Sequence, residues 1–184
     1  EAPAGNETDP ASTFGQDTVT ALNPLLEPIR SYTYEMGTKQ IFMVGDGMGL
    51  TQITAGLYSN GNKLFLEKLK HIGFIKTYSA SDLITDSAAG ATAFSCGVKS
   101  FNKAIGVDKD SLPKETIMES AKKKGLRTGL VVTCTVTHAT PGSFYAHQPS
   151  RYMHPEIALD ILGGDVDWFI GGGKVYFENR ADGR

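Results

Sequence analysis

Four short apolar runs, separated by stretches with helical character, constrain the fold of this chain more than any other feature. Gln40–Val44 leads into Gly45-Asp46-Gly47, and Gly73–Tyr78 forms a second run. Thr128–Thr133 is rich in β-formers, and Trp168-Phe169-Ile170 enters Gly171-Gly172-Gly173. Runs of this kind, bounded by turn residues, read as strands buried within a sheet. Between them, Thr51–Tyr58 and Leu64–Lys70 read as helical, as does a segment from Ser87 to about Cys96 that Gly97 stops. Another helix is expected to open at Ser111-Leu112-Pro113-Lys114-Glu115, with Pro113 in its first turn, and to close at Gly125. A last one spans Pro155–Leu162. Strands alternating with helices predict an α/β fold: a mostly parallel sheet with helices on both faces. In such sheets ligands gather beyond the carboxyl ends of the strands, so the loops after each strand are where chemistry is sought.

Composition narrows the function classes. The chain has 184 residues, 40% apolar and 21% charged, with a formal net charge of −2. That is enough to bury a real core in one domain. Without a basic excess there is no sign of nucleic-acid-specific binding, and no apolar stretch has the length of a membrane span. Lys122-Lys123-Lys124, the one dense cationic run, reads as a solvated helix end. Cys96 and Cys134 follow apolar or small-residue segments and are expected as buried free thiols, a disulfide between them being the alternative. Residues 1–38 read as a flexible arm: Glu1–Asp17 is rich in Ala, Pro, Gly, Asn, Thr and Asp, and Pro24 and Pro28 break any helix that follows. The sequence starts at Glu1 without a leader-like apolar segment, so a removed leader or a trimmed chain is expected.

The loops after the strands deliver a recurring set of residues. The first brings Asp46, the second Asp86 and Ser87, the third His138, Thr140 and then Arg151. Each has a plain structural reading: Asp46 as a turn residue, Asp86-Ser87 as a helix cap, His138 as a cap for a helix near Pro141, Arg151 as a surface cation. Together they are expected at one edge of the sheet. Ser87 sits at the start of a helix of very small residues, Ser87-Ala88-Ala89-Gly90-Ala91-Thr92-Ala93, where unpaired N–H groups and the helix dipole favour negative charge. A carboxylate, a hydroxyl and an arginine suit phosphoryl transfer through a covalent phosphoserine. A divalent metal would stabilise the alkoxide; Asp46 and Thr140 offer hard oxygen ligands, and Arg151 a planar fork matching two phosphate oxygens. No Gly-x-x-x-x-Gly-Lys loop is present. Gly45-Asp46-Gly47-Met48-Gly49-Leu50 lacks the final glycine of a dinucleotide fingerprint and places a carboxylate where a pyrophosphate would sit.

With these segments in hand, the chain resembles the N-terminal part of the alkaline phosphatases. The resemblance rests on Val44-Gly45-Asp46-Gly47-Met48-Gly49, on Thr85 through Ala93 with Cys96-Gly97-Val98-Lys99, and on His138-Ala139-Thr140-Pro141 leading to Ala146-His147-Gln148-Pro149-Ser150-Arg151. Gly171-Gly172-Gly173-Lys174 with the Phe177 region adds to it. It makes residues 39–184 the N-terminal portion of an alkaline-phosphatase-like α/β catalytic domain.

The resemblance implies metal-dependent hydrolysis of phosphate monoesters to inorganic phosphate and an alcohol. Ser87 would be the phosphorylated nucleophile, Arg151 the phosphate clamp, and Asp86 the residue that orients the arginine and the serine loop. Asp46 would bridge a zinc and the magnesium, Thr140 would bind the magnesium, and His138 would act through metal-bound water. Two Zn2+ and one Mg2+, a homodimer and a periplasmic or secreted location are implied in the same way. The family's remaining metal ligands fall later than Arg184; His71 reads as structural before a strand, and His147 and His154 flank a helix with no ligand partner at metal-binding spacing. An incomplete zinc site, little turnover by the 184 residues alone and an exposed sheet edge are therefore expected. A related metal-dependent sulfatase or phosphodiesterase is the enzymatic alternative, and a non-catalytic phosphate-binding or scaffolding module the alternative of another class.

Overall fold

The computed structural model describes residues 40–178, 180 and 183; the arm read over residues 1–38 lies outside the described residues. The elements in chain order are helix α1 (Leu50–Ser59), helix α2 (Ser87–Cys96), helix α3 (Ile117–Lys123), strand β1 (Gly129–Thr135), the single turn α4 (Ala139–Gly142), helix α5 (His154–Asp160) and strand β2 (Trp168–Gly172). Short 3-10 turns occupy Phe65–Lys68, Ile161–Gly163 and Lys174–Tyr176. The chain divides into two compact units, one ending at Lys76 and one running from Thr77 onward. None of the helices is long and apolar enough to cross a membrane, among the described residues.

In the unit from Thr77, local signals set the helix ends. Asp86 caps α2, its Oδ1 accepting the Ala89 N–H at 3.0 Å, and Gly97 closes the helix in the left-handed conformation that glycine adopts freely. Thr116 and Glu119 form a reciprocal capping box at α3, with N–H to oxygen distances of 2.6 and 3.1 Å. β1 and β2 pair in parallel, Gly129 opposite Trp168 and Val131 opposite Ile170, with α4 and α5 in the connection between them. This is the βαβ arrangement that parallel pairing requires.

The core forms beside α2. Ala88, Ile105, Ala139, Tyr145, Ala146, Ile157 and Ile161 make one buried cluster, and Ala91, Met118 and Phe144 a second. Because the contacts of α2 are small, buried hydroxyls complete its packing. Thr92 Oγ1 donates to the Ala104 carbonyl at 3.2 Å and accepts the Gly106 N–H at 3.0 Å. Ser95 donates to the Ser143 carbonyl, and the Ser143 hydroxyl donates to the Ala139 carbonyl at 2.8 Å. Each buried hydroxyl is therefore paired, which removes the cost of taking it out of water. Cys96 lies at the end of this helix with Sγ 3.4 Å from the Lys114 carbonyl, and burial pushes its thiol up to about 11.

Several expectations are corrected. Gln40–Val44 and Gly73–Tyr78 are not strands but irregular chain, and Ile41 and Met43 are more than four-fifths exposed. A short apolar run becomes a strand only through a neighbour to pair with, so hydropathy alone could not decide it. The expected helix at Ser111–Glu115 is instead a turn followed by an isolated bridge between Val107 and Pro113. Asp108 causes this: its Oδ1 accepts the N–H groups of Asp110 and Leu112 at 2.9 and 3.0 Å, leaving Ser111 at φ 61°. Helical structure over Leu64–Lys70 shrinks to Phe65–Lys68. Lys122 is more than a solvated end, pairing with Asp167 at 2.7 Å just before β2. Cys96 and Cys134 are free thiols, partly rather than fully buried.

Candidate active site

The site begins with the cap of α2. Asp86 has extended backbone (φ −93°, ψ 174°) and Ser87 is the first helical residue. That places the Ser87 hydroxyl at the positive end of the helix, where first-turn N–H groups have no carbonyl four residues back. Asp86 uses both carboxylate oxygens. Oδ1 holds the Ala89 N–H, while Oδ2 accepts the Lys103 N–H at 3.0 Å and Arg151 Nη1 at 3.1 Å.

Arg151 comes from the loop between α4 and α5, 65 residues from Asp86. Its Nη1 also donates to Ser87 Oγ at 2.9 Å, so one guanidinium nitrogen joins the cap carboxylate to the serine. Nη2 lies 3.2 Å from His138 Nε2. Arginine has only hydrogens to offer, so the imidazole nitrogen is the acceptor in this contact. His138 stands at the N-terminus of α4 without capping it through its side chain. Both Arg151 and Asp86 are about four-fifths buried, at 18% and 23% side-chain exposure. Partial burial pushes the Asp86 carboxyl upward, but the Ala89 and Lys103 N–H groups and the Arg151 guanidinium outweigh it and hold it below the usual carboxylate value.

Backbone pairing fixes the Arg151 loop. Ile105 and Gln148 exchange both main-chain hydrogen bonds at 2.9 Å, and the Arg151 N–H donates to the Lys103 carbonyl at 2.8 Å. Asp160 Oδ2 receives the Gln148 side chain at 2.8 Å, and His147 spans from the Gly106 carbonyl (2.7 Å) to Glu119 Oε1 (3.0 Å).

Of the residues singled out in the sequence, Asp86, Ser87, His138 and Arg151 are in direct contact in this unit. Thr140 follows two residues after His138, inside α4. Asp46 belongs to the other unit, in a turn closed by the Met48 N–H to the Gly45 carbonyl at 3.0 Å. The sequence reading missed Asn102 and Lys103, which touch the site through main chain and one carboxamide. Their only trace was an Asn-led dipeptide between a helix and a buried run.

The arrangement defines an α/β chain that presents a serine at a helix N-terminus against an arginine–carboxylate pair. The profile of the alkaline phosphatase family matches residues 38–184. An alkaline phosphatase of Schizosaccharomyces pombe is 45% identical over 148 residues, covering 74% of this chain and 28% of that protein. The Escherichia coli alkaline phosphatase is 41% identical over 170 residues, covering 77% and 36%. The solved alkaline phosphatase from the Antarctic bacterium TAB5 superimposes with a TM-score of 0.73 at 47% identity, covering 76% of this chain and 41% of that one. A histidine-to-aspartate variant of the TAB5 enzyme, with Mg bound in its M3 site, matches with the same TM-score. This chain belongs to the alkaline phosphatase family. It spans about a quarter to a third of the length of the curated relatives it matches.

Family membership implies bound divalent metals, and the donor chemistry separates them. The Asp46 carboxylate and Thr140 hydroxyl are hard oxygen donors of the kind Mg2+ takes, few in number and supplemented by water. Zn2+ asks for about four nitrogen, sulfur or carboxylate ligands. No group of three or more His, Cys, Asp or Glu residues is placed to hold a metal among the described residues. By chemical type each of these two donors suits magnesium, and the described residues hold no cluster of the kind zinc requires.

Proposed function

We propose that the whole protein hydrolyses phosphate monoesters through a phosphoserine formed on Ser87. The observation that carries this reading is the 2.9 Å hydrogen bond from Arg151 Nη1 to Ser87 Oγ, with the same nitrogen on Asp86. An entering phosphate takes the place of that hydrogen bond. The guanidinium turns its donors to two phosphate oxygens, and Ser87 Oγ is released to face the phosphorus.

Oγ then bonds to phosphorus as the ester oxygen departs, and the alcohol leaves with a proton. Water attacks the phosphoserine in turn, regenerating the hydroxyl and freeing inorganic phosphate. Asp86 keeps Arg151 in plane throughout, and His138 holds the opposite guanidinium nitrogen. Family membership makes Asp46 and Thr140 each a candidate ligand by chemical type, and a divalent cation, when bound, would supply positive charge that favours loss of the serine proton. Asp46 would in addition be a ligand of zinc in this reading. Family membership also supports a homodimer and a periplasmic or secreted location for the whole protein.

The test uses the full-length protein with its metals and p-nitrophenyl phosphate. Ser87→Ala is expected to lower kcat by at least about a thousandfold, as loss of a covalent nucleophile does. Acid-quenched wild-type enzyme should carry phosphate on Ser87. Retained turnover in Ser87→Ala would remove the phosphoserine, and faster hydrolysis of a diester or a sulfate ester would reassign the substrate class.

A further inference from the structure

We propose that the turn at Asn102-Lys103 is the positioning device of this site, fixing the Ser87 loop and the Arg151 loop against one another; the inference rests on the phosphoserine reading above. The turn closes with the Ala104 N–H on the Phe101 carbonyl at 3.2 Å. Lys103 has φ 78°, a left-handed conformation that favours glycine and marks the third position of a type II turn. Held so, each polar group of the dipeptide meets a different part of the site.

The Asn102 carboxamide grips the approach to the nucleophile from both sides. Its Oδ1 accepts the Asp86 N–H at 3.1 Å and its Nδ2 donates to the Ile84 carbonyl at 3.0 Å. The Asn102 N–H donates to Ser81 Oγ at 3.0 Å, anchoring the turn to the same segment. The main chain of Lys103 completes the link. Its N–H donates to Asp86 Oδ2 at 3.0 Å, and its carbonyl accepts the Arg151 N–H at 2.8 Å. With Arg151 Nη1 on that same carboxylate oxygen at 3.1 Å, the contacts form a closed circuit from Asp86 through Lys103 and Arg151 back to Asp86. Any shift of Lys103 would move the cap carboxylate and the arginine together.

The Lys103 side chain stays out of this circuit. It is exposed, with Nζ 5.9 Å from the centre of the Tyr152 ring. The turn acts through its backbone and one carboxamide, and Asn102 and Lys103 are positioning residues that do not themselves touch substrate.

The experiment uses full-length protein with its metals. Asn102→Ala is expected to lower kcat by about ten- to a hundredfold, the scale for a reacting group displaced by a fraction of an ångström to one ångström. Acid-trapped phosphate should still reach about one per chain, only more slowly. Inhibition by inorganic phosphate should weaken by less than about threefold, because the Lys103 hold on Arg151 is intact. Asn102→Asp keeps the acceptor for the Asp86 N–H but loses the donor to Ile84; it gives a milder form of the same comparison if Asn102→Ala does not fold.

Wild-type kcat in the Asn102 variants would overturn the inference. So would a fall in kcat matched by an equal fall in phosphorylatable chains, since that is the mark of damaged folding alone. Ser87→Ala, run alongside, separates the two readings. If it is inactive while Asn102→Ala is not, only the positioning role falls; if it stays active, the phosphoserine falls first.

Discussion

Five of the ten residues of α2 are buried, whereas none of the five residues of β2 is. Both elements formed where the sequence placed them, yet they are held by different means. α2 sits in a bed of alanines and paired hydroxyls, with almost no large side chain on its own surface. β2 carries Trp168, Phe169 and Ile170, among the largest apolar groups of the chain, and leaves them 51%, 43% and 63% exposed. Size of side chain therefore does not measure what an element contributes here. The region that carries Ser87 depends on close approach and satisfied polar groups, and the strand depends on its ladder with β1.

This contrast can be broken by substitution. Gly106 has φ 59°, and a Cβ there would lie 2.0 Å from the Ala146 carbonyl oxygen, a main-chain atom with no room to yield. Gly106→Ala should cost about 4 kcal/mol of unfolding free energy, combining left-handed strain with overpacking. Gly129→Ala makes an equally short contact, 2.2 Å, but with the ring of half-exposed Trp168, which can swing away. Its cost should be about 1 kcal/mol or less. Equal losses in urea unfolding would show that the sheet is as tightly determined as the helix bed.

Next in size comes truncation of matched residues. Ile157 is fully buried in the main cluster, and Ile157→Ala should cost about 3 kcal/mol. Ile170→Ala, at an exposed position of β2, should stay within about 0.5 kcal/mol. A large effect at Ile170 would mean that the face of β2 is covered in solution.

Acid should produce the smallest effect. The folded structure holds the Asp86 carboxyl below its ordinary value, net of the upward push from burial. Glu119 shows the same direction, its capping bond to Thr116 and its contact with His147 outweighing burial. A carboxylate with a depressed folded pKa contributes stability that is complete above its unfolded value, near 4, and is lost as pH falls through the folded value. Stability should therefore be level from about pH 6 to 5 and decline below about pH 4. Asp86→Asn should be less stable at neutral pH and show a shallower acid decline. An unchanged slope would show that the carboxylate gains nothing from folding.

The limits of α2 were legible because both its signals are local: a carboxylate that captures an N–H three residues on, and a glycine free to adopt positive φ. α3 was misplaced because Pro113 drew the boundary, while the Thr116-x-x-Glu119 capping pattern further along went unused. Asp108 decided the matter by holding the Asp110 and Leu112 N–H groups in a turn that leaves Ser111 at positive φ, where a helix cannot run. Gln40–Val44 failed for another reason, since pairing is a property of two segments and only one was in view. At the site, the side chains of Asp86, Ser87, His138 and Arg151 announced themselves by chemical type. The link through Lys103 could not, because a peptide N–H and carbonyl are present at nearly every position and carry no sequence label.

The raised thiol of Cys96 gives the chain a reporter of local opening. With a value of about 11, only about one thiol in a thousand is ionised near pH 8, so the folded state reacts slowly with iodoacetamide. When the last turn of α2 opens, the sulfur reverts to ordinary acidity and is captured. The labelling rate of Cys96, followed by mass spectrometry of its peptide, thus follows the open fraction of the helix that bears Ser87.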